Sequence, residues 1–532
     1  MFRTLIRKFN YLKLNSLNNS SIKNTPKKEE IPKSIKEIKN KLNQTFSECN
    51  DFITRELEIG EKREIKVIIA YIDGLVEKKM VDTEIIKPIL IDSRLTKLNQ
   101  EFNKKTTIEI LKENIISISG LNEVDDFNES IQSILSGDTM TYIDGNKKAL
   151  KADTRGFEFR GVEEPDTESV VRGPREGYTE SIRINTALLR RKVKNANLKF
   201  ESLKLGKQTN TDVMVCYIKG IAHDDVVETV KRRLKKINTD AILESGYIEE
   251  FIEDAPLSIF PTVGNTEKPD ITAAKILEGR VAILCDGTPF VLTVPYLFVE
   301  SIQASEDYYS RFISSSFLRL IRILALASST LTPAIYVALL CFHQDIIPAK
   351  LMITIVSSRE GVPFSAFIEA ALMIIAFELL REAGVRMPRQ IGQAVSIVGA
   401  LVLGQSAVEA GLISSMMVIV IAVTAITSFI VSSMDRTIPF LRFALLIGAN
   451  VIGFMGIFLV SEVILIYMCS LRSFGVPYLA PFSPLNGMDL KDTFIRVPVW
   501  AMLKRPKALT ENKDGGEQSG YRMKVNYRKK ED

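Results

Sequence analysis

The sequence predicts a chain in two parts. An α/β cytosolic region of two subdomains is followed by an all-α polytopic membrane domain of about four to five membrane helices and a short Pro-rich basic tail. Three observations carry this reading. Ile323 to Phe342 runs ILALASSTLTPAIYVALLCF without a charge, and about 20 helical residues rise about 30 Å, the thickness of a bilayer's hydrocarbon core. Four more apolar segments follow at 361–380, 391–408, 412–434 and 443–467, and soluble helices are rarely apolar on every face for so long. Ahead of them, strand-like and helix-like patterns alternate from Ile35 to the hairpin at 280–295, as α/β units do.

Composition narrows the function. A length of 532 residues allows two or three domains, and a formal charge of +5 is too small to indicate a nucleic-acid binder. The five cysteines (Cys49, Cys216, Cys285, Cys341, Cys469) are scattered and lack CxxC spacing, so no disulfide framework or zinc site follows. With His223 and His343 as the only histidines, a histidine metal site or a Ser/His triad is disfavoured.

In order, residues 1–34 read as a disordered basic tail. The opening MFRTLIRKFNYLKL is basic and has no uninterrupted apolar core, so it is not read as a secretory signal. The large N-terminal part is then expected to stay in the cytosol. The first subdomain spans 35–155. Ile35, Ile38, Leu42 and Phe46 share one helix face, Lys66 to Asp73 is a buried strand, and 93–119 is helical. Residues 127–142 carry a helix and a strand ending in the turn Asp144-Gly145.

The second subdomain, with its linker, spans 156–304. The linker motif Arg172-Gly173-Pro174-Arg175-Glu176 is specific enough in appearance to be functional, and a solvated connection explains it equally well. A helix at 181–194, a strand at 212–222, helices at 224–237 and 270–277 and a hairpin turning at Asp286-Gly287 complete it. Residues 305–322 form an interfacial helix with Arg311, Arg319 and Arg322 on the cytoplasmic side. The membrane domain spans 323–471. The tail, 472–532, is cytoplasmic and disordered from about 510.

Glu369, near the middle of its segment, Glu409 and Glu462 interrupt the apolar stretches. Such carboxylates are costly in lipid and usually face protein or a water-filled path. Read as a helix, 391–409 aligns Ile391, Val395, Val398, Val402, Gln405 and Glu409 on one face, with a small-residue stripe of Ser396, Ala400 and Gly404 on another. In a symmetric oligomer the valines would form a dewetting gate, and Gln405 and Glu409 a cation-attracting mouth. The alternative is that the valines pack against the next segment. Arg381, Arg386 and Arg389, with the basic tail, place both ends in the cytoplasm. Five segments then leave one crossing unpaired, and the third segment is the candidate re-entrant one.

No enzyme motif is present: GxGxxG, the P-loop, GxSxG and HExxH are all missing. The stretch FRGVEEPDTESVVRGPREGYTESIRINTALLRRKVKN (159–195) resembles the spore germination receptor A-subunit (GerA) family. So do DVMVCYIKGIA, FELLREAGVRMPRQIGQAVSIVGALVLGQSAVEAGLIS (377–414), VPYLAPFSP and DLKDTFIRVPVWAMLKRP. The resemblance covers 35–506. It implies a germinant receptor subunit in the spore inner membrane, working beside B and C subunits. It also implies a homo-oligomer, a pentamer being one candidate, that is surrounded by membrane lipid and forms a channel for monovalent cations. No cofactor, nucleic acid or enzyme activity is implied. A transporter and a membrane-anchored signalling scaffold are the competing readings, and a related sporulation-protein branch shares the pattern.

Overall fold

The computed structural model describes residues 29–59, 65–90, 108, 120–156, 165, 168, 170–386, 404–487, 489–502 and 505–510. The chain divides into two compact units, Met1–Phe157 with Lys194–Ala196, and Glu158–Val193 with Asn197–Asp532.

In the first unit, α1 (Ile35–Thr45) buries Ile35, Ile38 and Leu42, which recur every three or four residues. β1 (Phe52–Ile59) pairs antiparallel with β2 (Ile65–Ile72), which is buried without alternation from Val67 to Ile72 and so is covered on both faces. β3 (Leu121–Val124), α2 (Phe127–Leu135), β4 (Thr139–Ile143) and β5 (Ala149–Ala152) complete a five-stranded sheet in the order β1-β2-β4-β5-β3. Residues 29–34, expected to belong to a disordered tail, are ordered, and the rest of that tail lies outside the described residues. Ile31 is buried, and the carbonyl of Glu29 accepts the N–H of Phe127 at 2.7 Å. The helix expected at 93–119 lies, but for Ile108, outside the described residues.

The second unit opens with α3 (Ile182–Lys192), β6 (Leu198–Leu205), β7 (Thr211–Ile218), α4 (Asp224–Lys236) and α5 (Ser245–Ile252). It continues with β8 (Gly264–Thr266), α6 (Pro269–Leu277), β9 (Val281–Cys285) and β10 (Val291–Val294). The sheet order β6-β7-β9-β10-β8 repeats that of the first unit strand for strand. The turns repeat as well. Tyr71-Ile72-Asp73-Gly74 and Tyr217-Ile218-Lys219-Gly220 close equivalent strands, with φ of 87° at Gly74 and 84° at Gly220, where a side chain is disfavoured. The pattern does not anticipate β6, whose alternation Lys199, Glu201 and Lys204 obscure, nor α5.

After β10 come a 3-10 turn, Phe298–Ser301, the short α7 (Glu306–Tyr309) and α8 (Phe312–Phe342). The separate interfacial helix expected at 305–322 is not formed: α8 runs unbroken through the expected boundary at 322–323. It is followed by α9 (Ala349–Arg359), α10 (Ala366–Arg386), α11 (Ser415–Ile430), α12 (Ile438–Ile452) and α13 (Phe454–Ser470). Among the described residues α8 is the one helix long and apolar enough to cross a membrane, and α11, α12 and α13 are shorter apolar helices.

The single segment expected at 443–467 is two helices folded back on each other at Gly453, where φ is 66°. Their closeness rests on glycine: a Cβ on Gly456 would lie 1.9 Å from the carbonyl oxygen of Gly448. Hydropathy alone does not reveal such a fold-back, because both arms are apolar. The chain then returns to the α/β part of the second unit. β11 (Arg472–Ser473) pairs with β12 (Val476–Pro477), the Ser473 hydroxyl accepts the N–H of Tyr296 at 3.0 Å, and Tyr478 and Leu509 are buried.

Candidate functional site: buried charges of the helical region

The base of α8 carries arginines at 319 and 322, three apart and hence on one face. Arg322 grips Asp307 with two nitrogens at 2.8 and 2.9 Å, a bidentate pair. Arg319, fully buried, donates to Asp307 at 2.8 Å and to the Asp492 carboxylate at 2.8 Å. The Tyr308 hydroxyl donates to Asp492 at 2.7 Å, and Arg496 reaches the carbonyl of Ser310 at 2.9 Å. Burial pushes the Asp307 carboxyl up, but Arg322 and Arg319 outweigh it and hold it below the usual range. At Asp492 burial prevails over Arg319 and the carboxyl stands above that range. The polar groups that sequence reasoning treated as interface anchors therefore clamp α8 to α7 and to the C-terminal segment.

A second cluster joins the end of α9, the start of α10 and the residue before α11. Glu369 is fully buried. It sits in the first turn of α10, because that helix begins only at Ala366; it is not mid-segment. One carboxylate oxygen accepts the N–H and hydroxyl of Ser414 at 3.0 and 2.8 Å, and the other pairs with Arg359 at 3.0 Å. Neither partner was found from sequence. Arg359, before Glu360-Gly361, and Ser414, just before α11, were the available signals. Residues 404–409 are helical, and Gln405 donates to Glu409 at 2.9 Å with both side chains exposed. Val395, Val398 and Val402 lie outside the described residues. Glu462 is exposed on α13.

A third buried charge, Arg442 on α12, bonds the Ser329 carbonyl at 2.9 Å and Glu378 at 3.1 Å, and Glu378 also pairs with Arg381 at 2.9 Å. It ties α12 to α8 and α10. In the linker motif, Gly173 has a φ of 151° and lies where a Cβ would meet the Tyr309 ring at 2.8 Å. Arg172 is exposed. Glu176 pairs with Arg191 and Lys192 at 3.1 and 3.2 Å. Burial opposes its ionisation, but Lys192 and Arg191 hold it below the usual carboxylate range. Pro174 and Arg175 continue this stretch. Among the described residues no cluster of His, Cys, Asp and Glu could hold a metal.

A family model described as Bacillus/Clostridium GerA spore germination protein matches residues 40–508. The chain is 43% identical over 483 residues to spore germination protein KA of Bacillus subtilis (strain 168), covering 90% of this chain and 87% of that one. It is 44% identical over 478 residues to "Uncharacterized membrane protein YfkQ" of the same organism, covering 90% and 91%. Among solved structures, the N-terminal domain of the A subunit of the Bacillus megaterium spore germinant receptor GerK3 is 35% identical. It covers 51% of this chain and 98% of its own, with a TM-score of 0.40.

Proposed function

This chain belongs to the GerA spore germination family, and on that premise we propose that it is the A subunit of a nutrient germinant receptor in the endospore inner membrane. In this reading it oligomerises, a pentamer being one candidate, into a monovalent-cation channel that opens when a partner subunit senses germinant. B and C subunits are the partners. The N-terminal units and the C-terminal segment face the cytoplasm.

The observation that carries the reading is the buried charge of an otherwise apolar helical region. A plain anchor has no use for Glu369, Arg442 or Arg319, each of which costs free energy in lipid unless it faces protein or water. The fold-back at Gly453 supports the topology. If α12 and α13, the two arms of that fold-back, each cross, the five expected segments become six passes, and no segment need be re-entrant for both ends to share a side. The exposed Glu409 is a candidate cation-attracting group, and Val395, Val398 and Val402 remain the proposed gate. The clamp of Arg319 and Arg322 on Asp307 links the base of α8 to the α/β unit and is a route by which a cytosolic rearrangement reaches the helices.

Ion flux into liposomes containing the purified chain, alone and with B and C subunits, tests the proposal. Cation flux above that of empty liposomes is expected. Absence of flux in every combination leaves a signalling scaffold. Flux that requires a bound substrate to move with the ion makes the protein a transporter.

A further inference from the structure

The connection between α5 and β8 presents a leucine wholly to the outside. Ala255-Pro256-Leu257-Ser258 is a turn, closed by the Ser258 N–H on the Ala255 carbonyl at 2.9 Å, with proline where its fixed φ is favoured. Leu257 is 100% exposed at a place where turns ordinarily carry Gly, Asn, Asp or Ser. The loop is tied down around it. The Ser258 hydroxyl accepts the N–H of Phe260 at 3.0 Å, and the Thr437 hydroxyl donates to the Ile259 carbonyl at 2.7 Å. An ordered loop thus holds Leu257 and the exposed Ile259 outward.

Its inward side chains set its level against the helices. Phe260 is buried in one cluster with Ala325 of α8, Ile438 and Leu441 of α12 and Met468 of α13. Its ring centre lies 6.2 Å from that of Tyr467 and 6.3 Å from that of Tyr478. Leu441 is one turn into α12, and Tyr467 is in the last turn of α13. The loop therefore sits at the ends of these helices, where tyrosines favour a membrane boundary. Exposed apolar side chains continue on both sides of it. Phe440, Val463 and Ile466 face outward on α12 and α13, and on α5 Tyr247 and Phe251, four residues apart on one face, are exposed. The charge of Arg436, between α11 and α12, acts on Glu249 of α5, which places α5 beside the same helix ends. Apolar residues gathered in this way mark an interaction surface.

On the reading of these helices as membrane-spanning, we infer that the 255–260 loop, with Tyr247 and Phe251, is a membrane-interface anchor. Leu257 and Ile259 enter the boundary between headgroups and acyl chains of a phospholipid leaflet and hold the second α/β unit to it. Exposed charges nearby balance, Arg436 and Arg472 against Glu250 and Asp435. Apolar burial, and not attraction to anionic lipid, therefore drives the contact. The level set by Phe260 favours lipid over a second copy of the chain, because the same exposed surface runs on into the outward faces of α12 and α13. The anchor is a second attachment of this unit, separate from the clamp of Arg319 and Arg322 on Asp307.

The test uses the full chain reconstituted in phosphatidylcholine bilayers. Trp500, the only tryptophan, is replaced by phenylalanine, and single tryptophans are placed by Leu257→Trp, Phe251→Trp, Val463→Trp and Asp225→Trp. Val463 is exposed midway along α13. Asp225 is exposed in the first turn of α4, whose last turn meets α5 through Arg233 and the Ile252 carbonyl. Quenching by brominated phosphatidylcholine reports contact with lipid. Leu257→Trp is expected to emit at shorter wavelength than Asp225→Trp and to be quenched severalfold more, most by bromines near the headgroup. Val463→Trp should be quenched most by bromines near the chain ends. Phe251→Trp reports the same contact should Leu257→Trp fail to fold. Adding phosphatidylglycerol should leave the quenching unchanged, and quenching seen only in its presence would overturn apolar burial as the cause. Quenching at 251 and 257 no greater than at 225, with 463 quenched, would overturn the anchor and leave the membrane reading standing. Short-wavelength emission without quenching would do the same and give the surface to a protein, a second copy included. An unquenched Val463→Trp would remove the membrane reading and the anchor with it.

Discussion

Asp286 stands in the second α/β unit where Asp144 stands in the first. Each accepts the N–H of the residue that opens its unit's first helix, Ile182 at 3.0 Å and Ile35 at 2.9 Å. The glycine that follows repeats the correspondence, Gly145 bonding the carbonyl of Lys33 and Gly287 that of Glu180, both at 2.8 Å. A hairpin turn thus caps a helix about a hundred residues earlier in the chain.

Removing one cap should lower stability without disturbing the rest of its unit. Asp286→Ala frees one helix-terminal N–H and is expected to cost about 1 kcal/mol, a drop of a few degrees in thermal midpoint. Asp144→Ala should cost about the same. Calorimetry of both variants checks this, and a loss in one with none in the other would break the equivalence.

The duplication was written in the sequence and is visible once known. Gly137 precedes Asp144-Gly145 by the same interval at which Gly279 precedes Asp286-Gly287, and each Tyr-Ile pair ends in a glycine two residues on. It was hard to read because the intervening side chains differ: TMTYI and VAILC share only their burial. In the second unit α3, β7, α4, α6 and the hairpin turning at Asp286-Gly287 were legible because local chemistry sets them. The clamp at Arg319 was not, since its partners Asp307 and Asp492 lie on either side of the whole helical region. Nor was the hairpin at Gly453, where hydropathy is uniform across the bend.

Arg319 does not depend equally on its two carboxylates. Asp307 also holds Arg322, and its carboxyl lies below the ordinary range, whereas that of Asp492 lies above it. Asp307→Asn should therefore be the costlier change, by about 3 kcal/mol against about 1 kcal/mol for Asp492→Asn, because it leaves a buried guanidinium short of charge. Chemical denaturation of the two variants in detergent measures the difference. An equal or reversed order would mean that Asp492 is the principal partner.

Glu249, half-buried on α5, gives the second unit a pH dependence. Burial, with repulsion from Glu253, pushes its carboxyl from 4.5 up to about 7, Arg436 only partly offsetting them. The folded chain keeps a proton that the unfolded chain releases. Its contribution is thus full below about pH 4.5, is lost as pH rises through 7, and is level above. Glu249→Gln should flatten that part of the profile. Thermal midpoints at half-unit pH steps from 4.5 to 8, parent against variant, report the difference. Parallel profiles would remove Glu249 from the account.

Glu369 offers the sharpest separation of structure from transport. Its carboxylate satisfies two donors of Ser414 with one oxygen and neutralises Arg359 with the other. Glu369→Gln keeps an acceptor for Ser414 but removes the charge facing Arg359, and should cost about 1–2 kcal/mol while leaving the chain able to assemble. Glu369→Leu leaves the Ser414 N–H without its acceptor and the guanidinium, still bonded to the Phe364 carbonyl at 3.3 Å, without its counter-charge, and should cost about 3–5 kcal/mol, enough to reduce the folded yield. The pair Arg359→Gln with Glu369→Gln removes both charges together and should recover most of the loss, because neither is then stranded. Flux in liposomes separates the roles. A purely structural Glu369 predicts that the double variant conducts like the parent once folded. A carboxylate that takes part in cation passage predicts a folded double variant with altered flux or selectivity. A folded Glu369→Leu with parental stability would show that the Arg359 and Ser414 contacts contribute nothing to the bundle.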